Sequence, residues 1–122
     1  MNKKIIEQNG LTIVVVVSSE KLIFDTQSAL DFIMSIKYEA GCNRIALNKE
    51  AITEDFFVLS TCLAGEILQK FINYQVKFAV FGDFSKYTSK PLKDFMYESN
   101  NGNDVFFVST EKDAIERLLF AK

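Results

Sequence analysis

The stretch from Lys3 to Val17, "KKIIEQNGLTIVVVV", decides how the rest of the chain is read. Asn9 and Gly10 both tolerate positive φ, and such a pair between two apolar runs is the strongest short-range hairpin signal, a two-residue type I′ turn. The strand after the turn, Leu11 to Val17, is almost wholly apolar and β-branched instead of alternating in polarity. A strand of that kind is covered on both faces, so helices are expected on either side of its sheet. "KLIF" (Lys21 to Phe24) reads either as a further short strand or as an extension.

Outward from the hairpin, helix and strand signals alternate. Asp25 or Thr26 caps a helix over "TQSALDFIMSIKYEAG", with Ala29, Phe32, Ile33 and Ile36 on one face and Gly41 at its end. "NRIALN" is a short buried strand. After the acidic, partly helical "KEAITEDFF" comes "STCLAGEILQKFINYQ", a helix whose apolar face is Leu63, Ile67, Leu68 and Phe71. "VKFAVFG" is an interior strand. Ser89 caps the next helix, with Pro91 in its first turn and Gly102 at its stop. "DVFFVS" is the last strand, and Ser109 or Thr110 opens the last helix with Glu111 in its first turn. Repeated βα units of this length predict one α/β domain over 1–122: a mostly parallel sheet with an N-terminal hairpin and helices packed on it.

Bulk composition agrees. The chain has 122 residues, 48% of them hydrophobic and 12 of them Phe, enough for a single core. Its 14 basic and 16 acidic residues give a net charge of −2, too little field to gather phosphate backbones, so no nucleic-acid partner is expected. There is no histidine, and Cys42 and Cys62 lack metal-site spacing, which removes histidine-based nucleophilic and metal chemistry. No catalytic residue, metal or cofactor is assigned. No stretch has the length of a membrane span and "MNKKIIEQNG" lacks a signal-peptide core, so the expected location is cytoplasmic, with reduced thiols and no membrane partner.

Loops at the carboxyl ends of parallel strands converge, and ligands bind there most often. Those loops hold Asn48, Lys49 and Glu50, the cluster "GDFSKYTSK" (Gly82 to Lys90), and Ser109 and Thr110, with Ser60 and Thr61 at a neighbouring helix start. The candidate binding residues are therefore Ser60, Thr61, Asp83, Ser85, Lys86, Thr88 and Ser89. Hydroxyls, helix N–H groups and Lys49, Lys86 or Lys90 suit an anion, while Ser, Thr and Asp are equally the natural caps and turns. Glu50, Glu54 and Asp55 suit either a hard cation or the positive end of a helix dipole. Phe56 and Phe57 cannot both point inward from one regular face, so one is expected to be at least partly exposed and open to a partner, unless both tuck under a loop. Cys62 stands at a helix start, where a thiolate is favoured, and Cys42 reads as core.

The phrases "FDTQSALDFI", "LNKEAITEDFF" and "LSTCLAGEILQKFINYQVKFAVFGDFSKYTSKPLKDFMYESNNG" resemble the bacterial family catalogued as domain of unknown function 4180, over roughly 21–118. That family name carries no activity. The order of hairpin, strand, loop and a helix opening on "STCLAGEIL" is similar in architecture to the STAS domains of anti-sigma-factor antagonists, whose loop carries a phosphorylated serine in an Asp-Ser-Ser-Gly stretch. The resemblance implies Ser60 or Thr61 as a switch, although Leu59 replaces the aspartate and Cys62 the glycine. It implies a non-catalytic regulatory or protein-interaction module. The alternative is a small-molecule or anion-binding domain, with or without enzymatic activity, on the same edge. Homodimerisation is expected, if it occurs, through the hairpin edge or through Phe56 and Phe57.

Overall fold

A computed structural model describes residues 2–122. β1 (Asn2–Gln8) and β2 (Leu11–Val17) pair antiparallel, and Asn9 and Gly10 between them take φ of 55° and 76°, as a type I′ turn requires. The remaining elements are α1 (Thr26–Ala40), β3 (Arg44–Asn48), α2 (Leu63–Asn73), β4 (Lys77–Phe81), α3 (Lys90–Asn100), β5 (Val105–Val108) and α4 (Glu111–Phe120). Local chemistry sets their ends. Asp25 and Ser28 form a reciprocal capping box at α1, Ser89 and Thr110 cap α3 and α4, and Gly41 takes the left-handed conformation (φ 64°) that closes α1.

The five strands lie in the order β1-β2-β3-β4-β5, and every neighbour after the first pair is parallel. A sheet that advances in one direction through right-handed crossovers puts its crossover helices on one face. So it is here: Val14, Val16, Ile45, Leu47, Phe78, Val80, Val105 and Phe107 face a core built with α1, α2 and α3. Within it Phe71 of α2 stacks on Phe78 of β4 at 4.0 Å between ring centres. The alternate residues Ile13, Val15, Ala46, Ala79 and Phe106 face α4. Ala46 and Ala79 are register partners. Their small side chains make a shallow strip along which α4 crosses the parallel strands, seating Ala114 and Leu118. Arg44 pins the far end of this helix by donating to the carbonyls of Leu118 and Ala121. β2 is thus buried on both faces, as its composition demands.

Two details differ from expectation or resolve it. "KLIF" forms no strand; Ile23 makes a single parallel bridge with Ile52. Between β3 and α2 the chain runs as three short 3-10 turns, Lys49–Ala51, Glu54–Phe57 and Leu59–Thr61. In the second of them Phe56 and Phe57 are 1% and 4% exposed, so neither is a surface aromatic. A 3-10 turn has no single inward face: the two rings meet edge to face at 5.0 Å, Phe56 entering the core while the Gly82 to Ser89 loop folds over Phe57.

Candidate functional site

The carboxyl ends of β2, β3 and β4 meet where Asn48, the last residue of β3, is buried. Its side-chain amide accepts from Ser18 N–H at 2.9 Å and donates to Ser18 C=O at 2.8 Å, which ties the end of β2 to β3 after their ladder stops. Lys49 follows and is only 7% exposed. Room for its stem comes from Gly82: a Cβ there would lie 2.9 Å from Lys49 Cβ, and φ at Gly82 is 155°. A residue with a side chain at that position is blocked on both counts.

The Lys49 ammonium sits 5.4 Å from the centre of the Tyr87 ring and 3.9 Å from Glu50 Oε2, and it makes no hydrogen bond to the described residues. No fully enclosed side-chain nitrogen or oxygen lacks a partner among the described residues. The ammonium therefore opens to solvent at the tip of a buried stem, as lysine does when its methylenes cover apolar surface.

Tyr87 organises the surroundings. Its ring stacks on Phe57 at 4.8 Å and its hydroxyl donates to Glu54 Oε2 at 2.7 Å, while Lys86 Nζ donates to Glu54 Oε1 at 3.1 Å. The Tyr87 hydroxyl first, and Lys86 after it, hold the Glu54 carboxyl below its ordinary range. Burial, then the Glu54 contact, pushes the Tyr87 hydroxyl upward, so it stays a donor at any physiological pH. Asp83 accepts from Ser85 N–H at 2.9 Å, and Ser85, through its side chain and then its backbone, holds Asp83 below its ordinary value.

The candidates fall into two groups on this rim. Asp83, Ser85 and Lys86 stand with Lys49, Glu54 and Tyr87. Ser60 and Ser89 stand on the wall of a groove of about 430 Å³ whose other residues are Phe57, Val58, Leu59 and Pro91. Contacts link the groups, because Thr61 Oγ1 donates to the carbonyls of Asp55 and Val58 while the adjacent Glu54 holds Lys86 and Tyr87. Thr61 also accepts from Leu63 N–H, so its hydroxyl is committed to shaping the turn. Ser89 caps α3. Ser60 is exposed and Thr88 is exposed, and neither hydroxyl bonds to a described residue. Lys90 is paired with Asp94 four residues on. Cys62 is an exposed free thiol in the left-handed conformation (φ 62°), and Cys42 is buried in the core.

Sequence reasoning missed Tyr87 as the organiser. Its signal was the pair Phe84 and Tyr87 three apart in a loop, the spacing of one turn over a common apolar base. A second groove, about 300 Å³ between α2 and α3, is lined by Leu68, Ile72, Phe95 and Val105 among others, and holds no comparable convergence of charge. Among the described residues no group of His, Cys, Asp or Glu is arranged to hold a metal ion. No helix of the described residues is long and apolar enough to cross a membrane.

Fold and site together define a βα-repeat domain with its polar residues gathered at the carboxyl edge of a five-stranded sheet. Residues 8–118 match the family described as domain of unknown function 4180, and the chain belongs to that family. No curated protein and no solved structure matches it.

Proposed function

We propose that the domain is a non-catalytic protein-interaction module of STAS-like type, whose docking surface is the groove between the Leu59–Thr61 turn and the start of α3. The observation that carries this reading is the contrast between Ser60 and Thr61. Thr61 is consumed by three local hydrogen bonds, whereas Ser60 is exposed, unbonded and set on an apolar wall beside Val58, which is 48% exposed. A half-exposed valine in an apolar groove suits an apolar anchor of a partner protein. Added charge at Ser60 would enter that surface at a desolvation cost and oppose docking. Catalysis is disfavoured because Glu54, Lys86 and Tyr87 satisfy one another and leave no free acid and base pair. The test is affinity capture with wild type, Ser60→Ala, Ser60→Glu and Val58→Asp as baits. A partner held by wild type and Ser60→Ala, and lost with the other two, supports the reading; identical capture by all four overturns it.

Lys49 favours a second reading, a site for a small anionic ligand. A buried stem ending in an ammonium without a hydrogen-bond acceptor is the chemistry that takes a carboxylate or phosphate. Glu50, Glu54 and Asp83 surround it and compete with an incoming anion, which places this reading second. Thermal-shift screening with inorganic phosphate, nucleotides and carboxylic acids decides it. Saturation at a hundredfold over the dissociation constant adds about 2.7 kcal/mol, and Lys49→Met must abolish the shift. No shift from any compound, or a shift that survives Lys49→Met, rejects it.

A further inference from the structure

Beyond the carboxyl rim, and whatever docks there, we infer that β1 joins two copies of this chain antiparallel, across a two-fold axis through Ile5, into one continuous sheet. A two-residue turn closes on a hydrogen-bonded pair, here Gln8 and Leu11, and such pairs then alternate along the ladder through Ile6 and Ile13, Lys4 and Val15, Asn2 and Val17. The N–H and C=O groups of Lys3, Ile5 and Glu7 therefore point away from β2, and none of them has another backbone partner among the described residues. All of β1 but Ile6 is exposed, and Ile5 is 58% exposed.

Any antiparallel register centred on a residue keeps matching side chains on matching faces, and the three with the most overlap are centred on Lys4, Ile5 and Ile6. Centring on Lys4 sets Lys4 against Lys4. Centring on Ile6 sets Ile5 against Glu7. Centring on Ile5 sets Lys3 of each copy opposite Glu7 of the other, Ile5 opposite Ile5, Asn2 opposite Gln8, and Lys4 opposite Ile6, across which the lysine stem can lie. It also aligns the outward-pointing groups of Lys3, Ile5 and Glu7 as hydrogen-bonded pairs, each exchanging two bonds. Of the three, only this register sets opposite charges face to face and brings all three outward residues into hydrogen-bonded pairs, with Ile5 against Ile5 at the centre.

Lysines on an edge strand ordinarily guard it against pairing. Here both are drawn aside by their own chain: Lys3 pairs with Glu39 of α1 on one face and Lys4 with Glu111 of α4 on the other. The charges lie over the faces of the sheet and leave the edge open. β5, at the opposite border, is shorter and is closed by the Asn100 amide, which accepts from Phe107 N–H at 2.7 Å and donates to Phe107 C=O at 3.0 Å. Of the two borders, β1 is the one left to pair.

Sedimentation equilibrium on the full chain, from low micromolar to millimolar, tests this. Wild type should show a reversible monomer–dimer equilibrium, weak because a strand pair buries little area. Lys3→Glu and Glu7→Lys should each weaken it by roughly tenfold, since two symmetric pairs become like charges. Mixing the two variants in equal amounts sets glutamate against lysine at both pairs and should restore dimer to within a few-fold of wild type. Ile5→Pro, which removes an outward N–H and leaves the bonds to β2, should give monomer; circular dichroism and melting confirm that each variant is folded. Monomeric wild type at every concentration, a dimer indifferent to both charge variants, or no rescue on mixing overturns the inference.

Discussion

At the β5 border Asn100 stands in for a sixth strand, its side-chain amide filling the N–H and C=O of Phe107; at the β1 border the outward N–H and C=O groups of Lys3, Ile5 and Glu7 have no backbone partner among the described residues. The difference lies in how each border is finished, since both belong to one sheet. β5 has four residues, two of them phenylalanines, and an open edge of that composition would pair with any extended chain it met. Asn100 blocks it, and Arg117 holds Asn100 by donating to its carbonyl while lying over the Phe106 ring. β1 keeps its backbone free but carries a charge pattern that admits one register. One border is closed by hydrogen bonding, and the other is selective by charge. Asn48 shows the same amide clamp inside the fold, on Ser18.

The largest expected effect comes from breaking that interior clamp. Asn48→Leu strands the N–H and C=O of buried Ser18, and should cost about 3 kcal/mol, the upper end for orphaned buried groups. Chemical denaturation measures it. Asn100→Leu leaves the Phe107 groups orphaned at a part-buried border and should cost about 1–2 kcal/mol. It should also create association that survives Ile5→Pro, because the new contact would be at β5; monomer mass in that double variant would show that Asn100 guards nothing. Ile5→Pro alone should change stability by under about 1 kcal/mol, because edge strands tolerate proline where the N–H points outward.

The smallest effect lies at the carboxyl rim between the borders. Glu54 has a lowered pKa in the folded chain, chiefly from the Tyr87 hydroxyl and then Lys86. Its contribution is therefore complete above the ordinary carboxylate range and is lost as pH falls through the lowered value. Tyr87→Phe should flatten the acid side of the stability profile by about 0.5 kcal/mol or less, since the Glu54 side chain is half exposed and screened. An unchanged profile would show that the Tyr87 hydroxyl does not hold Glu54.

What was legible in the sequence was what the chain decides locally. Asn9-Gly10, the caps at Asp25, Ser89 and Thr110, and the spacing of Ile33 and Ile36 or Ile67 and Phe71 each report on a few neighbouring residues, and together they set the strand and helix order. For Phe56 and Phe57 the sequence left two outcomes open, one ring exposed or both under a loop, because a 3-10 turn has no helical or strand period to choose between them; both are buried. The asparagine clamps left no local trace: Asn48 bonds a residue 30 positions away, and Asn100 looks like any residue near a helix end. Lys49 is buried only because Gly82, on the next strand's exit, has no side chain. At the rim, the sequence located the neighbourhood through its hydroxyls and lysines. It could not show which hydroxyls were already committed, because that depends on turns closed by contacts across loops.

The alanine strip under α4 has a mechanical consequence. A ten-residue helix packs across the parallel strands over Ala46 and Ala79, with Ile13, Val15 and Phe106 on the same face. Bulk added at either alanine displaces the whole cylinder, because neighbouring side chains have no slack with which to absorb it. On the other face three helices share one larger core, whereas this face is covered by α4. Thermal loosening of that side should therefore begin with release of α4 as a unit, which amide exchange would read as protons of the helix opening together.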